Sequence, residues 1–172
     1  MLRHVVLLGP MGSGKTSIGR LVARRLRREL VDGDVLLEAQ TGGRTAADVA
    51  NDEGIDALHA MEAAIALAAL GSPTPAVIGP AASVIEVSDV REQLSRHLLV
   101  WFVAPAEYLA ERAVKKAHRP LLDAGDPVGL FRRQAALRDP LARPIAALVI
   151  DVAATSKRAA AREIVQLARR DN

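Results

Sequence analysis

The stretch HVVLLGPMGSGKTS, His4 to Ser17, constrains the fold of this chain more than any other. A short apolar, β-branched run from His4 to Leu8 reads as a buried strand, and it ends at Gly9. The loop behind it matches G-x-x-x-x-G-K-[ST] as Gly9, Gly14, Lys15 and Thr16. From Lys15 to about Leu30 the apolar residues Ile18, Leu21, Val22, Leu26 and Leu30 recur at helical spacing. Strand, glycine loop and helix in this order make a cradle for phosphate. Glycines let backbone N–H groups turn inward, and the helix N-terminus adds its dipole. Lys15 is placed to reach β- and γ-phosphates, and the Thr16 hydroxyl can ligate Mg²⁺. Gly9, Gly12, Ser13, Gly14, Lys15, Thr16 and Ser17 are therefore the expected nucleotide-binding residues. The loop is silent on what accepts the phosphate.

The rest of the chain alternates strand and helix. A short strand ends at Asp32, and Val35 to Leu70 reads as three helical pieces punctuated by Gly42-Gly43 and Gly54. Ala76 to Ile78 and LLVWFV, Leu98 to Val103, are apolar strands with a helix between them over Val90 to His97. Helix follows from Ala106 to about Lys115, then a polar stretch with Pro and Gly through Asp126, then a helix to Leu137. Leu148 to Val152 is a last strand and Lys157 to Arg170 a last helix. This order predicts an α/β protein, a parallel sheet covered on both faces. Ligands then sit at the carboxyl ends of the strands, beyond Leu8, Asp32, Ile78, Val103 and Val152. The length of 172 residues suits one domain, 1–172.

Composition narrows the function classes. Aromatic residues are 2% of the chain, too few for a protein that stacks single-stranded bases. The net charge of +3 is modest, and the run Arg24, Arg25, Arg27 and Arg28 reads as a solvated helix face that also helps attract an anionic substrate. Without cysteine there is neither a disulfide nor a thiolate metal site. No apolar stretch reaches the roughly 18 residues of a membrane span, and the N-terminal apolar run feeds the glycine loop, unlike a signal peptide. The expectation is a cytoplasmic monomer that binds neither nucleic acid nor membrane.

Three further segments speak to the acceptor. LVDGDVLLE ends the second strand with Asp32 and Asp34, which in an extended segment point the same way, above the cradle. One carboxylate can hold a metal's water shell while the other orients a substrate hydroxyl, which is most of what phosphoryl transfer requires. HRPLL, His118 to Leu122, is either a Pro-terminated helix with an incidental arginine or a mobile lid whose Arg119 closes on the transferring phosphate. LRDPLA supplies Arg138, which on its own residues reads as a helix cap.

Taken together, Gly-x-x-x-x-Gly-Lys-Thr, Asp-x-Asp, Arg-Pro-Leu-Leu and Arg-x-Pro-Leu resemble, in order and spacing, the shikimate kinase family of the nucleoside monophosphate kinase-like group. The resemblance runs from Val5 to about Leu167, and TGGRTAADVANDEG is similar to the family's T-G-x-x-I-x-[DE]-I-F-x-x-x-G-E segment. It implies a three-layer α/β/α P-loop kinase fold with a five-stranded parallel sheet. A substrate-binding helical segment would span about 33–62 and a mobile lid about 113–126. The implied activity is transfer of the γ-phosphate of ATP, with Mg²⁺, to a hydroxyl of shikimate or a related small hydroxy acid. Carried over by position, Lys15 and Arg119 stabilise the γ-phosphate in the transition state, and Thr16, with Asp32 through water, holds Mg²⁺. Asp34 binds the acceptor's ring hydroxyls and acts as base, Arg138 binds its carboxylate, and Arg112 falls where the family sets an arginine against the adenine ring.

The departures cluster on the acceptor side. The family's F-R-x-x-E reads LHAME here, so Leu58 and His59 replace phenylalanine and arginine while Glu62 remains. The Gly-Gly-Gly after the third strand is Pro80-Ala81-Ala82, which removes one N–H donor and adds β-carbons. The tyrosine after Arg-x-Pro-Leu is Ala142, and DVAATSK replaces the adenine loop, so ATP follows from the resemblance alone. His59, Ala81 and Ala82 join Asp34 and Arg138 as expected acceptor contacts. Two other readings stay open: a gluconate-type sugar-acid kinase, since DGD is similar to that group's acceptor segment, and a nucleotide-binding module that acts through a partner.

Overall fold

The computed structural model describes residues 3–114 and 125–171. Arg119 and most of the expected lid lie outside the described residues. Five strands form one sheet: β1 Val5–Leu8, β2 Leu30–Asp32, β3 Val77–Gly79, β4 Leu98–Val103 and β5 Leu148–Asp151. Their order across the sheet is β2-β3-β1-β4-β5, with every pairing parallel. The helices are α1 Lys15–Leu26, α2 Gly33–Gln40, α3 Ala46–Glu53, α4 Ile55–Leu70, α5 Ser88–Leu94, α6 Ala106–Val114, α7 Pro127–Ala142 and α8 Lys157–Arg170. A 3₁₀ turn, Ala82–Glu86, follows β3.

Period-two alternation decides what each strand residue buries. Val5 and Leu7 of β1 join Leu98, Val100 and Phe102 of β4 in a core against α1 and α8. Val6, Leu8, Leu99 and Trp101 point the other way, into a core with Ala66 and Leu70 of α4 and Val90 and Leu94 of α5. Every residue of β1 is buried, which is why the run shows no polar alternation. A smaller core of Leu37, Val49, Leu58 and Ile65 holds α2, α3 and α4 together. Leu58 is 5% exposed there, so the position where the resemblance expects phenylalanine is filled by a smaller apolar group. Ala142 is fully buried against the second core.

Several local expectations fail. The helix expected from Lys15 to about Leu30 ends at Leu26, and Leu30 opens β2. The helix expected over Val90 to His97 is Ser88–Leu94. The helix after β2 begins at Gly33, not Val35, so Asp34 lies in its first turn and the Asp32–Asp34 pair is not extended. Asp32 forces this, because its carboxylate accepts the Asp34 N–H at 3.1 Å as the N-cap. The helix expected to stop at Leu137 runs on through Pro140 to Ala142. Proline offers no N–H to the carbonyl four residues back, but tertiary contacts override that loss. Phe131, Arg138 and Ala142 are buried, and Trp101 Nε1 donates to Asp139 Oδ1 at 2.8 Å. Arg138 is therefore an interior residue of α7, not a cap.

Candidate active site

The glycine loop connects β1 to α1 at the carboxyl edge of the sheet. Gly9 lies so close to β4 that a Cβ would come within 2.7 Å of the Phe102 Cβ, which excludes any side chain. Gly14 is the left-handed N-cap of α1, at φ 88°. Lys15 Nζ donates to the carbonyls of Gly9 at 2.7 Å and Pro10 at 3.3 Å, curling over the loop. Ser13 is 3% exposed, and among the described residues its Oγ is the buried side-chain polar atom with no hydrogen-bond partner. A buried hydroxyl without a partner is costly in an apolar setting, and here it belongs to a loop built to receive phosphate oxygens.

Beside the loop, Thr16 Oγ1 donates to Asp32 Oδ2 at 2.9 Å. A hydroxyl and a carboxylate together are hard oxygen donors, the chemistry Mg²⁺ prefers. Among the described residues no group of three or more His, Asp or Glu side chains forms a metal cage. From the other side Arg112 of α6 donates Nε–H to the Gly12 carbonyl at 3.0 Å, and its guanidinium stands 5.3 Å from the Tyr108 ring centroid.

One cavity of about 440 Å³ joins this cradle to the acceptor side. It is lined by Gly12, Gly14, Lys15, Thr16, Ser17 and Asp32 around the cradle, and also by Asp34, His59, Ala81, Ala82 and Arg138. Residues from α1, β2, α2, α4, α7 and the turn after β3 thus meet in one space, although 123 positions separate Lys15 from Arg138 (138 − 15). Gly33 lets the Asp32–Asp34 segment pack on the acceptor loop, since a Cβ there would meet the Pro80 Cα at 3.2 Å.

Charge on the acceptor wall is arranged in pairs. Glu62 of α4 accepts a hydrogen bond from the Ser83 hydroxyl. Burial pushes the Glu62 carboxyl above its ordinary value, and nearby Asp34 adds to the rise, while Ser83, His59 and Arg138 oppose it. Arg138 is 9% exposed and donates Nε–H to Glu86 Oε1 at 2.6 Å. Ser83, Glu86 and Gln134, also at or beside this pocket, belong to no recognisable motif and are brought in by the 3₁₀ turn and α7. Pro80 lies on the same wall, so the chain's own departures from the glycine triplet face the cavity.

A parallel sheet in this strand order with a phosphate cradle at the β1–α1 junction, facing an acceptor pocket of paired carboxylates and an arginine, defines a P-loop small-molecule kinase. Its nearest class of phosphate donor is a nucleoside triphosphate. The chain belongs to the shikimate kinase family: the family model for shikimate kinase matches residues 11–169. Shikimate kinase from Symbiobacterium thermophilum is 39% identical over 140 residues, covering 80% of this chain and 79% of that one. The structure of shikimate kinase from Acinetobacter baumannii in complex with shikimate superposes with a TM-score of 0.90 at 30% identity, covering 100% of this chain and 96% of that one. A gluconokinase from Sinorhizobium meliloti shares the fold at a TM-score of 0.64 and 22% identity, over 98% of this chain and 93% of that one. The sugar-acid kinase reading therefore rests on fold alone, whereas the family assignment rests on sequence and structure together. Among the described residues no helix is long and apolar enough to cross a membrane.

Proposed function

We propose that this chain transfers the γ-phosphate of ATP to a ring hydroxyl of shikimate. The observation that carries the reading is the single cavity in which Asp34 and Arg138 face the phosphate loop. An acceptor whose carboxylate meets Arg138 and whose hydroxyl meets Asp34 spans the pocket towards the γ-phosphate. Asp34 accepts the hydroxyl proton as the oxygen attacks phosphorus, the bond from phosphorus to the β-phosphate oxygen breaks, and ADP leaves. Transfer of this kind depends on alignment and on charge placed at the γ-phosphate oxygens. Lys15 supplies part of that charge, and Arg119 supplies the rest by the residue-by-residue resemblance. Thr16 and Asp32 would hold Mg²⁺, which supplies charge neutralisation between the phosphates. Gly12, Gly14 and Ser17 bind phosphate oxygens through the loop, and Arg112 packs against the nucleotide side.

His59 and the Pro80-Ala81-Ala82 segment occupy the carboxylate and ring side of this pocket. A histidine lacks the bidentate fork of arginine, and Pro80 offers no N–H, so acceptor binding is weaker than an arginine and three glycines would give. Nucleotide binding is untouched by either change.

The test is ADP release with Mg²⁺ and ATP, with and without millimolar shikimate, beside Asp34→Asn. Shikimate-dependent release is expected, falling about 100-fold or more in Asp34→Asn with ATP affinity retained. ATP binding without any shikimate-stimulated turnover would overturn the assignment.

A further inference from the structure

The turn after β3 touches both walls of the acceptor pocket, and its last residue has no role in the scheme above. Glu86 closes the 3₁₀ turn Ala82–Glu86, whose Val84 and Ile85 are completely buried. Arg91 of α5 fixes the end of that turn by donating from Nη1 to the carbonyls of Ile85 and Glu86, both at 2.8 Å. A residue held this firmly can hold another. Glu86 Oε1 takes the Nε–H of Arg138 at 2.6 Å, with the arginine side chain 11% exposed and the glutamate 30%.

A guanidinium has a side edge, which includes Nε, and an end-on edge made of its two Nη groups. With Nε engaged by Glu86, the fork left for a ligand in the cavity is the end-on pair. Released from Glu86, the Arg138 guanidinium would lose the contact that fixes which edge it presents. We propose that Glu86 is a positioning residue for the acceptor: it holds Arg138 so that the end-on fork meets a carboxylate. This rests on the shikimate reading above.

Removing Glu86 has two opposed consequences. Orientation is lost, which weakens carboxylate binding, and a counter-charge is lost, which strengthens it. Glu86→Gln keeps the acceptor oxygen and removes only the charge, so it separates the two. Steady-state kinetics on the whole chain, with shikimate and with its carboxamide, decide the matter. Glu86→Ala is expected to raise KM for shikimate about tenfold, with KM for ATP within about twofold and kcat within about threefold of wild type. Selectivity for shikimate over the carboxamide should fall by a similar factor, since only the carboxylate fills a bidentate fork. Glu86→Gln should restore both quantities to within about threefold.

An unchanged KM for shikimate in Glu86→Ala, with selectivity over the carboxamide also unchanged, overturns the proposal. So does a rise in both KM values with selectivity intact, which marks a merely structural residue. If Glu86→Ala does not fold, Glu86→Asp, one methylene too short for the same contact, carries the comparison with the same expected directions. Wild-type protein without shikimate-dependent turnover overturns the acceptor assignment itself, and the positioning role with it.

Discussion

Asp32 makes two bonds at once: it accepts the Thr16 hydroxyl at 2.9 Å and the Asp34 N–H at 3.1 Å. One carboxylate thereby caps α2 and orients the threonine of the cradle, so the two halves of the site share a hinge residue. His59 is the residue with the clearest cost. Replacing it by arginine adds a permanent charge and a bidentate fork beside Arg138, and KM for shikimate should fall about tenfold while KM for ATP stays put. Kinetics with each substrate varied in turn check this. Glu62 sets a stability prediction. Its pKa is raised above 4.5 in the folded protein, chiefly by burial. The folded state therefore holds that proton longer than the unfolded chain, and the stability so contributed is lost as pH rises through the folded value. Glu62→Gln cannot titrate, so its melting temperature should gain on wild type as pH climbs from about 4 to 7. Parallel melts across that range would show a flat difference if the argument fails.

At the scale of elements, α1 carries the one visible backbone conflict. Arg27, its C-cap, adopts φ 55°, the positive-φ non-glycine position among the described residues. An L side chain in the left-handed region costs about 1–2 kcal/mol, and this is where helices usually place glycine. Arg27→Gly should stabilise by about 1 kcal/mol, or about 2–4 °C in thermal melting, without changing turnover. By contrast α3 is well started: Thr45 and Asp48 form a reciprocal capping box. The 3₁₀ turn after β3 ties two helices, α4 through Ser83 and Glu62 and α7 through Glu86 and Arg138. α7 shows the reverse dependence, since burial keeps it helical through a proline that a solvated helix would not tolerate.

Across the whole molecule, the chemistry gathers at one edge of the sheet and a histidine pair locks the other. His4, before β1, accepts the Ala76 N–H at Nδ1 and meets the Ser72 carbonyl through Nε2, each at 3.0 Å. Its ring stacks at a tilt against His97, before β4, with centroids 4.7 Å apart. Burial, and then the neighbouring His4 and Arg3, hold His97 below 6.5. The unfolded chain binds its proton more readily, so the stability this group contributes is present above 6.5 and is lost as pH falls through the lower folded value. Melting temperature should drop between about pH 7 and 5, and His97→Gln should flatten that drop. Because the pair sits at the amino edge, KM values at neutral pH should be unaffected.

The sequence by itself determined the cradle, the α/β alternation, the strand β1 and the last helix, since each depends on spacing within a dozen or so residues. It also placed Asp32, Asp34, His59, Ala81, Ala82 and Arg138 on one site, because the family's order of motifs carries their positions. Only the tertiary structure decided that Asp32 starts a helix, that α7 ignores Pro140, that Ser83 lines the cavity and that Glu86 bonds Arg138. Those outcomes depend on which buried side chain or hydrogen-bond partner arrives from elsewhere in the chain. Local propensity has no access to such partners, and a parallel sheet brings them from far along the sequence.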